Sequence, residues 1–284
     1  MVDDVFALHQ IQGEDEVIFP FNIKDYQRYV FGDDRLAHRF GTDCAKAFIA
    51  HGSGSKAAQH TTTTPASNQS AADDFAVAVL SDYVPTATHS LRNHFVAYLN
   101  RHLIAANADP AIKIDINLVR EGLNGRSGPQ GMTEIYRLDR QLIGCRTIII
   151  LCDIRLGQDR ERQLQKSLYS SDVSNPIIFA YLASILDPSK AISLSPILKF
   201  IVSPSLKDVE DIAHGPNFVM NASFVQYLLG RDDEDFCRFL RRQDDGFARL
   251  LLDYAIGGGH YSSELYRANV KFLEWEVGTR ESLY

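Results

Sequence analysis

The sequence predicts an α/β protein in which a central, mainly parallel sheet is flanked by helices and followed by a C-terminal helical subdomain. Two apolar runs, Phe75–Leu80 and Arg146–Leu151, have the composition of buried strands, and the second is typical of a central parallel strand covered on both faces. Strand patterns alternate with helical patterns as far as Ser203, which implies right-handed βαβ crossovers and a parallel sheet. Beyond Ser203 only helical patterns occur.

The spacing of apolar residues gives the elements of the sheet region. Residues at helical spacing predict a helix over Asp33–His51, which Gly52 ends. A second helix follows Thr88, a candidate N-cap. Strict alternation of isoleucines with polar residues predicts a half-buried strand over Ile112–Leu118. The remaining predicted elements are a polar helix over Gln158–Ser170 and strands over Pro176–Ala183 and Leu198–Val202.

The last part of the chain is predicted as a helical subdomain. Asn221 is a good N-cap and Gly230 a good helix stop. The predicted helices, each with an apolar stripe, are Pro204–Ile212, Ala222–Leu229, Glu234–Arg242, Phe247–Ile256 and Ser262–Val277. The predicted domains are an N-terminal helical or hood segment (1–52), a flexible low-complexity loop (53–74), an α/β core (75–203) and the helical subdomain (204–284).

Composition excludes several classes of function. A formal net charge of −7 over 284 residues argues against nucleic acid or an anionic membrane as a partner. No stretch is long and apolar enough to span a bilayer, and the acidic start Met1–Asp4 is unlike a signal peptide, so we expect a cytoplasmic protein. The four cysteines match neither a zinc site nor a disulfide framework. Cys152 in particular is expected to be a small buried hydrophobe.

The candidate site begins where the strand Ile148–Leu151 ends. In open parallel sheets, ligands bind outside the carboxyl ends of the strands. The carboxylate of Asp153 can accept hydrogen bonds from ribose hydroxyls, and the amides of the Gly-containing turn that follows can hold a phosphate. The pattern alone leaves alternatives open, because Asp153 could instead cap the next helix, and Arg155, Arg160 and Arg162 could be a solvated face.

Four segments together resemble the ComF-like phosphoribosyltransferases. Ser81-Asp82-Tyr83-Val84-Pro85-Thr86-Ala87-Thr88 is similar to that family's Tyr-x-Val-Pro-Thr-Ala turn after its first core strand. Ile148–Glu161 is similar to its phosphoribosyl-pyrophosphate loop. Phe31-Gly32-Asp33 resembles its N-terminal motif, and the helical tail follows its pattern. The resemblance implies a type I phosphoribosyltransferase fold.

The resemblance also implies a reaction and its ligands. A nitrogenous acceptor would displace pyrophosphate from phosphoribosyl pyrophosphate through an oxocarbenium-like transition state, with Mg²⁺ bound to the donor. Asp153 would be the catalytic residue, binding ribose hydroxyls directly or through the metal. Gly122–Gly131 would be a lid that excludes water. The residues implied to bind substrate are Ser81, Tyr83 and Thr86 for pyrophosphate, Arg120 and Arg126 from the lid, and Arg155, Leu156, Gly157, Gln158, Asp159, Arg160 and Glu161 around the 5′-phosphate.

The loop departs from the family pattern at four places, one of which is Arg160 in place of the family's usual His. Cys152 stands where the first of two acids belongs, Gly157-Gln158 replaces Thr-Gly, and Asp159 adds a negative charge beside the expected phosphate. Two functions therefore stay open: a phosphoribosyltransferase with an unidentified base as acceptor, and a catalytically degenerate homologue that binds a nucleotide or a protein partner. A sugar-phosphate hydrolase on the same scaffold is a weaker third option, and a homodimer is one option for assembly.

Two further features are interpreted as structural. His89 and His94 lie five residues apart on one predicted helix, which does not fit metal ligation, so they are expected at the surface. Gly257-Gly258-Gly259-His260 follows a helix and not a strand, so it is expected to be a helix-ending turn and not a phosphate loop.

Overall fold

The computed structural model describes residues 4–12, 18–52, 74–122, 132–185 and 194–282. The chain divides into two compact units. Unit 1 consists of Met1–Pro20, His38–Ser81 and Thr88–Leu194, and unit 2 of Phe21–Ala37, Asp82–Ala87 and Ser195–Tyr284.

Unit 1 is built on a six-stranded sheet. Its strands are β1 (Asp4–Ile11), β2 (Phe75–Ser81), β3 (Ile112–Gly122), β4 (Met132–Arg137), β5 (Thr147–Arg155) and β6 (Ile177–Ile185). The strand order is β1-β6-β5-β2-β3-β4, and every neighbouring pair is parallel except β3 and β4. The predicted fold class, a mainly parallel α/β sheet, is confirmed.

The rest of the described chain is mainly helical. The helices in the first part of the chain are α1 (Ile23–Val30), α2 (Asp34–Ala50), α3 (Ala87–Ala105), α4 (Arg140–Ile143) and α5 (Asp159–Ser170). Those in the last part are α6 (Ser195–Val202), α7 (Leu206–Ala213), α8 (Ala222–Leu229), α9 (Asp233–Leu240), α10 (Asp245–Gly257) and α11 (Arg267–Glu281). None of these helices is long and apolar enough to cross a membrane.

Both faces of the sheet are covered, as the continuous apolar run in β5 predicts. On one face, Ile148 and Ile150 of β5 pack in a cluster with Leu164 and Leu168 of α5. On the other face, Phe75 of β2 contacts Phe48 of α2, which also contacts Phe95 of α3.

The helices α2 and α3 pack closely at Gly41. A Cβ atom on Gly41 would lie 2.6 Å from the carbonyl oxygen of Leu91, so only glycine fits there. The sheet is therefore closed off from solvent on the α2–α3 side by tightly packed helices.

One predicted strand is wrong. Leu198–Val202 lies in α6 (Ser195–Val202), not in the sheet. Its apolar residues are not buried as a strand's would be, because Phe200 and Val202 are exposed and only Ile201 is buried. A short apolar run cannot be assigned to strand or helix by periodicity alone, and Pro196 in the first turn favours a helix start.

Two strands and two short helices were not predicted. β1 pairs in parallel with β6 at one edge of the sheet, so the predicted N-terminal helical segment begins with a strand. β4 pairs antiparallel with β3 at the other edge. Edge strands bury less of their surface, so their sequence patterns are weaker. The short helices α1 and α4 also lack predicted counterparts.

Unit 2 has a separate apolar core formed by α7 to α11. Its largest fully buried side chains include Phe31, Phe224, Phe236 and Phe239. Asn221 caps α8 as predicted, accepting a hydrogen bond from Phe224 N at 3.1 Å. The helix predicted over Ser262–Val277 starts later, because a 3₁₀ turn occupies His260–Ser262 and α11 begins at Arg267.

Candidate active site

The strand order reverses between β2 and β5, both in unit 1. β2 is followed in the chain by β3 on one side, whereas β5 lies on the other side. β2 pairs with β5 from Phe75 opposite Thr147 to Ala78 opposite Ile150. Both strands continue beyond this pairing, β2 to Ser81 and β5 to Arg155. Ligands of open α/β sheets bind at such a switch point, outside the carboxyl ends of the strands. Ser81 and Asp153 both lie at this end of the sheet.

Asp153 is a strand residue and not the helix cap that the pattern left open. It lies inside β5, whereas the N-cap of α5 is Gln158. Successive side chains of a strand point to opposite faces. Because Cys152 belongs to the apolar cluster beneath α5, Asp153 is turned away from that cluster, and its side chain is half-buried.

The start of α5 offers backbone donors. The first N–H groups of a helix have no partner within it. Gln158 makes no side-chain hydrogen bond to them. Apart from its chain neighbours, no atom of the described residues lies within 4 Å of a Cβ atom built on Gly157, so these residues leave the space above the turn open. This end of α5 therefore has the features of an anion site.

Asp159, the first residue of α5, carries its charge in solvent. Its side chain is fully exposed and forms a loose ion pair with Arg162, at 3.7 Å, within the first turn of α5. An outward carboxylate in water is well screened, so it weakens anion binding little. Arg160 is also exposed.

Arg155 and Glu161, both predicted to surround a phosphate, bind each other. Arg155 Nε donates to Glu161 Oε1 at 2.5 Å, and Nη2 donates to Oε2 at 2.9 Å. The hydroxyl of Tyr181, on β6, donates to Glu161 Oε1 at 2.8 Å. Sequence analysis missed Tyr181, although β5–β6 pairing places it opposite Cys152.

Cys152 is the buried hydrophobe that the sequence predicts. Burial raises the pKa of its thiol to about 12, an effect that the positive charge of Arg160 only partly offsets. The thiol therefore stays protonated at neutral pH and is a poor nucleophile and metal ligand. A carboxylate at this position would be buried in an apolar cluster, which is unfavourable without a partner.

A polar cluster that sequence analysis missed lies behind Ser81. His89 Nε2 lies 3.3 Å from Ser81 Oγ and 3.8 Å from Asp115 Oδ1. The expectation that His89 is a surface residue is wrong, because its side chain is only 14% exposed. The same His89 nitrogen faces both partners, which is not the arrangement of a Ser-His-Asp triad.

The buried Arg92 holds Asp115 in this cluster. Its Nη1 donates to Asp115 Oδ1 at 2.5 Å and also to the carbonyl oxygen of Ile114. Ser81 ends β2, Arg92 and His89 lie on α3, and Asp115 lies on β3, so the four residues meet only through the βαβ unit. The arrangement fixes the hydroxyl of Ser81 at the end of β2.

The segment after Ser81 belongs to unit 2. The carbonyl oxygen of Pro85 accepts a hydrogen bond from Ala222 N at 2.8 Å, and Val84 is buried. The ring of Tyr83, another predicted site residue, lies on Gly257, where a Cβ atom would overlap it. Thr86 is half-buried in the same segment.

Two motifs of unit 2 have structural roles. Gly257-Gly258-Gly259-His260 ends α10, with Gly259 at φ +72°, as predicted for a helix-ending turn. In Phe31-Gly32-Asp33, the glycine has φ +102°, and a Cβ atom on it would overlap the carbonyl oxygen of Val219. Both positions require glycine for conformational reasons.

The predicted lid and the predicted metal site are the remaining parts of the candidate site. Arg126 and most of Gly122–Gly131 lie outside the described residues, and Arg120 lies in β3, paired in register with Glu134. Among the described residues, no three His, Cys, Asp or Glu side chains come together to hold a metal ion.

Similar solved structures include phosphoribosyltransferases, at low similarity. Hypoxanthine-guanine phosphoribosyltransferase of L. donovani is 15% identical, with a TM-score of 0.29, covering 66% of this chain and 80% of that one. A hypoxanthine phosphoribosyltransferase of Staphylococcus aureus is 11% identical, with a TM-score of 0.28, covering 53% and 75%. A hypothetical protein of Neisseria gonorrhoeae with bound ppGpp is 10% identical, with a TM-score of 0.26, covering 59% and 92%. At these values the likeness carries no argument about ligand or reaction.

The family comparison is more specific. No curated protein matches the chain. The family model described as "PRTase ComF-like" matches residues 2–273, which is nearly the whole chain. With its mainly parallel sheet and its strand-end loop, the protein therefore belongs to the ComF-like phosphoribosyltransferase family.

Proposed function

We propose that the protein transfers 5-phosphoribose from phosphoribosyl pyrophosphate to a nitrogenous acceptor, with release of pyrophosphate. The observation that supports this most is that β5, which carries Asp153, leads into the N-terminus of α5 at the switch point of the sheet. A carboxylate for ribose hydroxyls and backbone donors for a phosphate are what a phosphorylated sugar requires.

In the proposed reaction, the acceptor nitrogen forms a bond to the anomeric carbon of ribose as the bond from that carbon to pyrophosphate breaks. The acceptor nitrogen releases its proton to solvent, and the electron pair of the broken bond leaves with pyrophosphate. Positive charge develops on the ribose ring, where the carboxylate of Asp153 would stabilise it. No covalent enzyme intermediate is needed, so catalysis rests on position and charge.

The residues around the donor divide the work in this proposal. Amides of Leu156–Arg160 hold the 5′-phosphate, with Gln158 and Arg160 contributing side chains. Ser81, Tyr83 and Thr86 hold pyrophosphate. Arg120 or Arg126, from the predicted lid, reaches the same pyrophosphate. For Arg155 and Glu161, the contacts favour a different role, because the two side chains bind each other.

Mg²⁺ fits this proposal as a companion of the donor and not as a resident ion. Magnesium at phosphate sites is commonly held by one or two carboxylates together with substrate oxygens. Asp153 would supply such a carboxylate. When bound, the ion would neutralise charge on the leaving pyrophosphate.

Release of pyrophosphate from the donor, measured across a panel of nitrogenous bases, tests the proposal. We expect release that depends on one class of acceptor and falls at least tenfold in Asp153→Ala, because the carboxylate faces the developing charge. Unchanged rates in Asp153→Ala would remove this residue from the mechanism. Release of ribose 5-phosphate without any acceptor would indicate a hydrolase instead.

A catalytically degenerate binding protein is the second candidate. It is favoured by the buried, protonated Cys152, which leaves a single acid at the end of β5. Donor binding without pyrophosphate release, for every base in the panel, would support this candidate over the enzyme.

A further inference from the structure

We propose that Arg155, Glu161 and Tyr181 are positioning residues, which hold the β5–α5 turn in the shape that receives a phosphate and do not contact it. We call these three residues the brace. The inference rests on the proposed function for the identity of the ligand, and it reassigns Arg155 and Glu161 from ligand contact to support of the turn.

The brace closes the turn at its two ends. Arg155 is the last residue of β5, and Glu161 lies in the first turn of α5. The guanidinium meets the carboxylate with two hydrogen bonds, of 2.5 and 2.9 Å. A bidentate pair of this kind fixes orientation as well as distance. The residues between, Leu156–Arg160, are thereby held as a closed loop.

Tyr181 ties this pair to the sheet. Its hydroxyl donates to Glu161 Oε1 at 2.8 Å, and the Arg155 guanidinium carbon lies 5.9 Å from the centre of its ring. Tyr181 is buried on β6 and stacks on Phe179, with ring centres 6.5 Å apart. The carboxylate of Glu161 is thus held from the strand side by a rigid aromatic residue.

Burial separates the brace from ligand contact. The side chain of Glu161 is 9% exposed and that of Arg155 is 21% exposed. A phosphate that took Arg155 would leave the Glu161 carboxylate buried without its counter-charge, which is strongly unfavourable. Conversely, Arg155 neutralises Glu161, so this carboxylate does not repel a phosphate bound at the turn amides.

The test uses Arg155→Lys, Glu161→Gln, Tyr181→Phe and the double variant Arg155→Lys/Glu161→Gln. Two quantities are measured: hydrogen exchange of peptides spanning residues 153–162 without ligand, and the dissociation constant for ribose 5-phosphate. The matched control is Arg140→Lys, because Arg140 forms an exposed pair with Asp172 at 3.5 Å in the same unit.

We expect each single variant to exchange faster in the turn and to bind ribose 5-phosphate about tenfold more weakly, as is typical of residues that support a binding site. The double variant should be no worse than the worse single variant, because each residue acts through the other. Tyr181→Phe removes only a hydroxyl, so it keeps the test usable if a charge variant fails to fold. Arg140→Lys should match the wild type in both measurements.

Three results would overturn the inference. Weaker binding in Arg155→Lys with unchanged exchange would make Arg155 a ligand contact. Additive losses in the double variant would mean that the two residues act separately. Unchanged exchange and binding in all variants would mean that the brace positions nothing. A wild-type protein that does not bind ribose 5-phosphate would overturn the proposed function, whereas the exchange rates would still decide whether the brace orders the turn.

Discussion

At Gly157, the fold of the protein and a bound phosphate place different requirements on the side chain. Its backbone is not in the left-handed region, and in the part of the chain that the structure describes no residue beyond its neighbours comes within 4 Å of a Cβ atom built on it. The protein itself therefore does not require glycine here. A phosphate held by turn amides approaches the backbone closely, and that contact would exclude a methyl group.

We predict that Gly157→Ala leaves the free energy of unfolding unchanged or raises it by up to about 1 kcal/mol, because alanine restricts the unfolded chain. Affinity for ribose 5-phosphate should fall about tenfold, equivalent to roughly 1.4 kcal/mol. Chemical denaturation and calorimetry check the two effects. Gly278→Ala is the control, since Gly278 also has open space and lies on α11. Equal affinity in the Gly157 variant would argue against a phosphate at this turn.

Cys152 gives a second test at the residue scale. Its buried thiol, with a pKa raised to about 12, should not react with an aromatic disulfide reagent in the native protein at pH 8. Cys145 is exposed and should react quickly. Mass spectrometry of labelled peptides would locate the modified thiols, and Cys145→Ser should abolish the fast phase. Rapid native labelling of Cys152 would show that the end of β5 is open where the structure has it packed.

At the scale of elements, α10 and the segment Asp82–Ala87 are coupled through one ring. The ring of Tyr83 lies on Gly257, the last residue of α10. The carbonyl oxygen of Pro85 accepts a hydrogen bond from the first residue of α8. The helices of unit 2 thus fix a segment that the family resemblance assigns to pyrophosphate. Because the side chain of Tyr83 is 57% exposed, it can swing away when its place is taken.

We predict that Gly257→Ala displaces the Tyr83 ring and speeds hydrogen exchange over residues 82–87, while the free energy of unfolding changes by no more than about 1 kcal/mol. In a Tyr83→Ala background the same substitution should have little further effect, because the overlap is gone. Gly278→Ala again serves as the control. An equal effect of Gly257→Ala with and without the Tyr83 ring would show that the coupling runs through something else.

The elements that sequence analysis found are those with continuous burial. β5 and β6 could be predicted because strands covered on both faces have continuous apolar runs in their sequence. β1, β4 and α6 were missed or misassigned, because edge strands and short half-exposed helices have weak patterns. The candidate site at the end of β5 could be predicted for the same reason, because the position of the strand also fixes the position of the residues that follow it.

The contacts of the site could not be predicted in the same way. Glu161 meets Tyr181 across the β5–β6 pair, and Asp115 meets Arg92 and His89 through a crossover. These pairings depend on strand order and register, which a single sequence does not specify. The residues of the turn were predictable, whereas the partners that occupy Arg155 and Glu161 were not.

For the whole molecule, the burial of two thiols predicts that the free energy of unfolding falls at alkaline pH. Burial raises the pKa of Cys44 and of Cys152 from 9.0 to about 12. Below pH 9 both thiols are protonated in the folded and unfolded chain, so their contribution is fully present. As the pH rises from 9 towards 12, only the unfolded chain ionises, and the free energy of unfolding falls.

We expect the wild type to lose roughly 1 kcal/mol more than Cys152→Ala between pH 8 and pH 10, from this one thiol. Urea denaturation at the two pH values measures the difference. Cys145→Ala, which removes an exposed thiol, should behave as the wild type does. Identical pH dependence in Cys152→Ala would contradict the burial of this side chain.

In the proposed function, the carboxyl end of β5 binds phosphorylated ribose through Asp153. The most direct test is calorimetric titration of the wild type, Asp153→Asn and Asp172→Asn with phosphoribosyl pyrophosphate and Mg²⁺. Asp172 is an exposed residue of the same unit at φ 57°, a conformation that asparagine tolerates. We predict binding by the wild type and by Asp172→Asn, and a loss of roughly tenfold to a hundredfold in Asp153→Asn, as expected when hydrogen bonds to a charged group are removed. Equal binding by all three proteins, or none by the wild type, would contradict the claim.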